Sequence, residues 1–181
     1  MKKSQIRKKF LKLRENKLQK VKSINHTDII KLLKKKGIKG KIVGGYYPYN
    51  NELDCIQILE KLEKKNYIIS LPKIKKNFQM DFIQWSSKEP LVINKFGIPE
   101  PSNGKIKFPD ILLIPLLSFD KKLNRVGYGG GFYDRYIHGI KRKKKPLLIG
   151  LAYSFQKVKS IPITSYDKKL DFVVTERKII E

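Results

Sequence analysis

Apolar residues recur near the start of the chain at helical spacing. Ile6, Phe10, Leu13 and Val21 fall close to a 3.6-residue period with Lys and Arg between them, which predicts an amphipathic helix over residues 3–21. Thr27 and Asp28 are residues that cap helices, so a second helix is expected through Leu33, ended by Gly37. Residues 42–47 read as a strand closed by Pro48. From Asn51 the spacing of Leu53, Ile56, Leu59 and Leu62 predicts a third helix, and residues 67–71 a strand cut by Pro72. Residues 80–85 and Leu91–Ile93 read as a short strand pair, or as a strand and a turn.

Ile111–Pro115 is a continuous apolar run of the kind found in strands buried on both faces. A glycine-rich loop follows it, then a helix over about 131–140 and strands at 147–152 and 172–175. Helices alternating with apolar strands predict an α/β fold: a single three-layer domain over 1–181, its mostly parallel sheet covered by helices on both faces. No repeat or flexible linker marks a boundary. Ligands of such sheets bind in the loops after the strands. That rule puts residues 46–52 and 119–134 on one face.

Composition narrows the class. The 40% hydrophobic content with nine Tyr and nine Phe is that of a folded protein. The apolar runs are too short to cross a bilayer, and residues 1–22 are basic throughout, without the apolar core of a signal peptide. Cys55, the one cysteine, excludes an internal disulfide and fits a reducing compartment. A cytoplasmic protein without membrane partners is expected, as a monomer. The net charge of +25 is unusual, and residues 1–41 carry more than half of it, with sixteen Lys and Arg against Glu15 and Asp28. Such charge attracts polyanions. The lysines alternate with apolar positions as a solvated face does, and no aromatics are interleaved with them for stacking on bases. A lysine-rich surface without obligate nucleic acid is the reading adopted.

The chemistry concentrates in Arg125-Val126-Gly127-Tyr128-Gly129-Gly130-Gly131-Phe132-Tyr133-Asp134-Arg135. Four glycines in five positions let a ligand approach the backbone and permit left-handed dihedrals. Their N–H groups and the N-terminus of the following helix make an anion site suited to phosphates. Arg125 adds a planar fork, and Asp134 an oxygen ligand for Mg²⁺. The loop is not a P-loop, which needs Lys and Ser or Thr after the last glycine. Nor is it a dinucleotide fingerprint, because Phe132 stands where the third glycine would be. A merely tight turn is the bland alternative.

The same run, with Phe119-Asp120 before it, resembles the signature of the 5-formyltetrahydrofolate cyclo-ligase family. Further segments agree in order: Lys3-Ser4-Gln5-Ile6-Arg7, Tyr47-Pro48 with Glu52, Phe96-Gly97-Ile98-Pro99-Glu100-Pro101, Gly150-Leu151-Ala152-Tyr153, and Asp167 with Val174-Thr175-Glu176. The resemblance implies conversion of 5-formyltetrahydrofolate to 5,10-methenyltetrahydrofolate, with ATP hydrolysed to ADP and phosphate and with Mg²⁺ as cofactor. The formyl oxygen takes the phosphoryl group, N10 attacks the resulting carbon, and phosphate leaves.

The resemblance also implies site residues. Lys3, Ser4, Gln5, Ile6 and Arg7, together with Arg125, Val126, Gly127, Tyr128, Gly129, Gly130, Gly131, Phe132 and Tyr133, would bind ATP. Tyr47 and Glu52, with Tyr128, Gly129, Gly130, Gly131 and Phe132, would meet the folate. Arg125 and Tyr128 would act in catalysis, and Asp134 and Asp167 would hold Mg²⁺. On physical grounds alone Lys3 and Arg7 are a solvated helix face, Glu52 is an acid at a helix start, and Asp167 is a turn acid. Trp85 is either a folate wall or core, and Cys55 is core. His26 and His138 receive no role. The family commonly has His where this chain has Tyr166, and a larger aliphatic where it has Val126. Two other functions stay open: a basic nucleic-acid-binding module using the first helix and residues 141–145, and a sugar-phosphate enzyme on a similar scaffold.

Overall fold

The computed structural model describes residues 1–17 and 26–181. Its centre is an eight-stranded mixed sheet. Five strands run parallel in the order β11 (Phe172–Val174), β10 (Leu147–Leu151), β7 (Ile111–Pro115), β1 (Ile42–Gly44) and β2 (Ile68–Ile74). Antiparallel strands flank them: β12 (Ile179–Ile180) beside β11, and β3 (Met80–Gln84) then β6 (Ile106–Lys107) beside β2. Two small hairpins stand apart, β4 (Leu91–Ile93) with β5 (Pro99–Pro101) and β8 (Ser118–Phe119) with β9 (Arg125–Val126).

Strand alternation divides the core. Ile111 and Leu113 of β7 point to the face covered by α2 (His26–Lys35) and α3 (Ile56–Glu63), where Ile29, Leu33, Leu59 and Leu62 are buried. Leu112 and Ile114 point to the other face, against Ile137 of α4 (Phe132–Ile140). α1 (Lys3–Lys17) packs elsewhere, burying Ile6 and Phe10 with Leu117 and Val126 over the β8–β9 hairpin. The first helix therefore lies across the carboxyl ends of the parallel strands. The three-layer α/β expectation holds. No helix among the described residues is long and apolar enough to cross a membrane.

Several element limits differ from the sequence reading, each for a local reason. Val21 lies outside the described residues. α2 begins at His26, so Thr27 and Asp28 sit in its first turn; Gly37 ends it as expected, left-handed at φ +62°, with Ile38 N–H bonding Leu33 O. β1 stops at Gly44. Asn50 and Asn51 both adopt positive φ, which holds residues 49–52 in a turn and delays α3 to Ile56. Pro72 does not cut β2. β1 pairs with β2 only as far as Ser70, so beyond that point β2 has one open edge and tolerates a residue without an N–H. Residues 80–85 and Leu91–Ile93 are not partners, because β3 pairs with β2 and β6.

Candidate active site

A cleft of about 1120 Å³ opens at the carboxyl ends of β1, β2 and β7. The turn after β1 supplies Tyr47, Tyr49 and Glu52; the glycine loop supplies residues 125–131; α4 supplies Phe132 through Arg135. The two loops that the sequence assigned to one face do share it. Lys3 and Arg7 enter from α1 because residues four apart lie on one helix face. By the same geometry Ile6 turns into the core, while Ser4 and Gln5 are exposed and line no part of the cleft. Val126 buries its side chain under α1 and offers only backbone.

The loop is built as a hairpin running into a helix. Gly129 has φ +110° and Gly131, which precedes the first turn of α4, has φ +67°. Both values favour glycine. No side chain caps α4, so its first N–H groups face the cleft without a local acceptor. Arg7 Nε donates to Gly127 O at 2.9 Å, fixing the loop from α1. Arg125, buried on β9, places Nη2 2.8 Å from Asp134 Oδ1 and donates through Nη1 to Lys168 O. Lys168 N–H donates to the same Asp134 oxygen at 2.9 Å, which brings the Asp167 segment beside Asp134. Lys3 Nζ pairs with Asp167 Oδ2, which also accepts from Thr164 N and Oγ1. Burial opposes ionisation of Asp167, but Lys3 and Thr164 outweigh it and hold its carboxyl below the ordinary value.

Across the cleft, Glu52 is buried in a tight turn with Oε2 accepting Tyr49 N–H at 3.0 Å. It lies ahead of α3 and outside its first turn, so no helix dipole explains it. Burial lifts its carboxyl to about 7, against the Arg14 charge and the Tyr49 N–H, which pull it down. Tyr128 Oη donates to Tyr49 O at 3.2 Å and accepts from Arg14 Nη1 at 2.9 Å. Burial and the Glu52 charge push the Tyr128 phenol up to about 12. At neutral pH it is therefore an O–H donor and not a base.

A raised carboxyl favours the folded state only while protonated. Glu52 contributes that stability fully below about pH 4.5 and loses it as pH rises through about 7. Glu52→Gln is thus expected to melt close to wild type at pH 5 and several degrees above it at pH 8, a difference on the order of 3 kcal/mol. Parallel melting curves at both pH values would remove the burial argument.

The sequence assigns Phe132 to the folate, but neither its aromatic partners nor Arg135 and Arg14. Phe78, Phe96 and Phe132 form an aromatic wall, with centroids 5.7 Å (Phe78–Phe132) and 6.0 Å (Phe96–Phe132) apart. Arg135 stacks over Phe78 and Phe132 and donates to Phe78 O. Arg14 is buried behind Tyr128. Only Arg14 carried a readable signal, since Ile6, Phe10 and Arg14 form one i, i+4, i+8 stripe. Trp85 and Cys55 belong to the core on the α2–α3 face and line no part of the cleft. His138 lines the cleft near the far end of α4. Residues 141–143 and 145 are exposed, as a solvated basic face would be.

The chain matches the 5-formyltetrahydrofolate cyclo-ligase family over residues 1–176. It is 34% identical over 140 residues to the 5-formyltetrahydrofolate cyclo-ligase of Haemophilus influenzae, covering 73% of this chain and 74% of that protein. The Escherichia coli K12 cyclo-ligase is 31% identical over 147 residues, covering 77% and 80%. Among solved structures, the Aquifex aeolicus 5,10-methenyltetrahydrofolate synthetase superposes with a TM-score of 0.78 at 30% identity, over 99% of this chain and 92% of that one. The Mycoplasma pneumoniae 5,10-methenyltetrahydrofolate synthetase gives 0.72 at 25% identity, over 97% and 99%. The nucleic-acid-binding alternative finds no support among these relatives.

Proposed function

The chain belongs to the 5-formyltetrahydrofolate cyclo-ligase family, and we propose that its cleft performs the ATP-dependent conversion of 5-formyltetrahydrofolate to 5,10-methenyltetrahydrofolate, releasing ADP and phosphate. One observation carries this reading: a single cleft holds the glycine loop with the cations Lys3, Arg7 and Arg125, and also Glu52 with an aromatic wall. The first group suits a triphosphate and the second a flat heterocycle bearing N–H groups.

The reaction then divides among the residues. Loop N–H groups from Gly127 to Gly131 and the open end of α4 cradle the phosphates, with Lys3 and Arg7 above them. Glu52 accepts pterin N–H groups, while Tyr47 and Phe132 flank the rings. The formyl oxygen attacks the γ-phosphorus as the bond to ADP breaks. Arg125 and the Tyr128 O–H stabilise charge on the transferring oxygens. N10 next attacks the formyl carbon, its proton is released, and the C–O bond breaks to free phosphate.

Asp134 and Asp167 each commit one oxygen to protein donors and leave the other open. That fits Mg²⁺, which takes one or two carboxylates and fills its shell with water and phosphate oxygens. Bound there, the ion would supply charge against the phosphates. The free and buried Cys55 fits a reducing compartment such as the cytoplasm. A monomer suffices, since one chain supplies every group named.

The purified protein mixed with ATP, Mg²⁺ and 5-formyltetrahydrofolate is expected to develop the near-ultraviolet absorbance of the methenyl product, and excess chelator to abolish it. No absorbance change overturns the activity; turnover that ignores chelator overturns the metal.

A further inference from the structure

Arg14 lies outside the cleft and is 2% exposed on the buried face of α1. Its guanidinium joins three segments. Nη1 reaches Tyr128 Oη at 2.9 Å and Asn50 O at 3.4 Å, and Nη2 donates to Leu116 O just beyond β7. Cζ stands 6.0 Å from the centre of the Tyr128 ring. No carboxylate among the described residues lies within 4 Å of it, and Nε has no partner. A buried cation without an ion pair is expensive, and an apolar residue would fill this core position at lower cost. Packing therefore does not account for an arginine here.

What the guanidinium does reach is informative. Asn50 belongs to the turn that carries Glu52, and Tyr128 to the glycine loop, so one side chain ties the two walls of the cleft together. A planar fork with several donors suits this task, and a lysine ammonium cannot span the same acceptors. Glu52, Tyr46, Tyr128 and Tyr153 all feel its charge.

We propose that Arg14 is a positioning residue for the reaction: from behind the cleft it fixes the Tyr128 hydroxyl and holds the Glu52 turn against the glycine loop. The proposal rests on the activity given above. It predicts that the larger part of the effect of Arg14 runs through Tyr128, the Asn50 contact adding the rest, and that Arg14 has no part in seating ATP.

A double-mutant cycle of Arg14→Met and Tyr128→Phe tests it, with kcat, KM for ATP and thermal melts measured for each protein. Arg14→Met is expected to lower kcat about 10- to 100-fold, the worth of a charged hydrogen bond, with KM for ATP unchanged within about twofold. In the Tyr128→Phe background the same change should cost less than about threefold. Arg14→Lys, keeping the charge and one donor, should recover part of the loss. It replaces the methionine variant in the cycle if that variant does not fold. Equal losses in both backgrounds, or a loss that falls on KM for ATP, overturn the proposal. A wild-type protein that forms no methenyl product overturns the activity reading itself, and the proposal with it.

Discussion

Gly129→Ala is expected to reduce turnover by about 10²-fold or more, the scale of loss when reacting groups shift by an ångström. Two observations converge on this position. Its φ of +110° is one that residues with a Cβ rarely adopt, and a Cβ built there would stand 3.2 Å from the Arg7 guanidinium carbon. The strain alone is about 1–3 kcal/mol, so the fold survives while the loop relaxes away from its cradle shape. Gly130 differs: it has no positive φ, and its Cβ would meet the Phe132 ring at 2.8 Å. Gly130→Ala should therefore push the aromatic wall and weaken folate binding more than ATP binding. Gly127 has open space beyond its Cβ. Gly127→Ala leaves the free protein undisturbed, so a loss of ATP affinity of about tenfold with an unchanged melt would report a methyl group meeting the ligand. Wild-type ATP affinity in both Gly127→Ala and Gly129→Ala would falsify the cradle and leave only a tight turn.

Asp134→Asn should produce the second large effect, with two components that measurement can separate. The carboxylate is the ion-pair partner of buried Arg125 and also accepts Lys168 N–H. Removing its charge leaves a buried guanidinium short of a counter-ion, so the melting temperature should fall, by the equivalent of about 1–3 kcal/mol for a pair whose aspartate side chain is 29% exposed. Turnover should fall about 10- to 100-fold at limiting Mg²⁺, and this defect should shrink as Mg²⁺ is raised. The stability loss should not respond to Mg²⁺ in the same way, because it comes from Arg125. A kinetic defect equally deep at every Mg²⁺ concentration assigns Asp134 to holding Arg125 and removes it from the metal site.

Two ion pairs stand within the cleft of the free protein. Lys3, a residue suited to phosphate, is paired with Asp167, and Arg125 with Asp134, the two carboxylates suited to Mg²⁺. Mg²⁺ on the open oxygens of Asp134 and Asp167 would leave both pairs in place and add positive charge against the ATP phosphates. This is the physical ground for expecting the two to be required jointly.

The sequence by itself determined much of the strand and helix pattern, because burial leaves a period of two or 3.6 that needs no partner to be read: Ile111–Pro115 as a strand covered on both faces, and a helix over about 131–140. It also determined the glycine loop, whose geometry depends on which residues lack a Cβ, and the Lys3–Arg7 spacing that puts both cations on one helix face. Tertiary structure decided the rest. Turns such as 49–52 depend on left-handed asparagines that composition does not announce, so the start of α3 and the setting of Glu52 were not legible. Pro72 reads as a strand breaker until the partner strand is seen to end at Gly44, leaving that edge of β2 open. The ion pair between Lys3 and Asp167 joins residues 164 positions apart. Arg14 stood in plain view on an apolar stripe, but a stripe says only that a side chain points inward. What it meets there, Tyr128 and the carbonyls of Asn50 and Leu116, was fixed when α1 crossed the ends of the parallel strands.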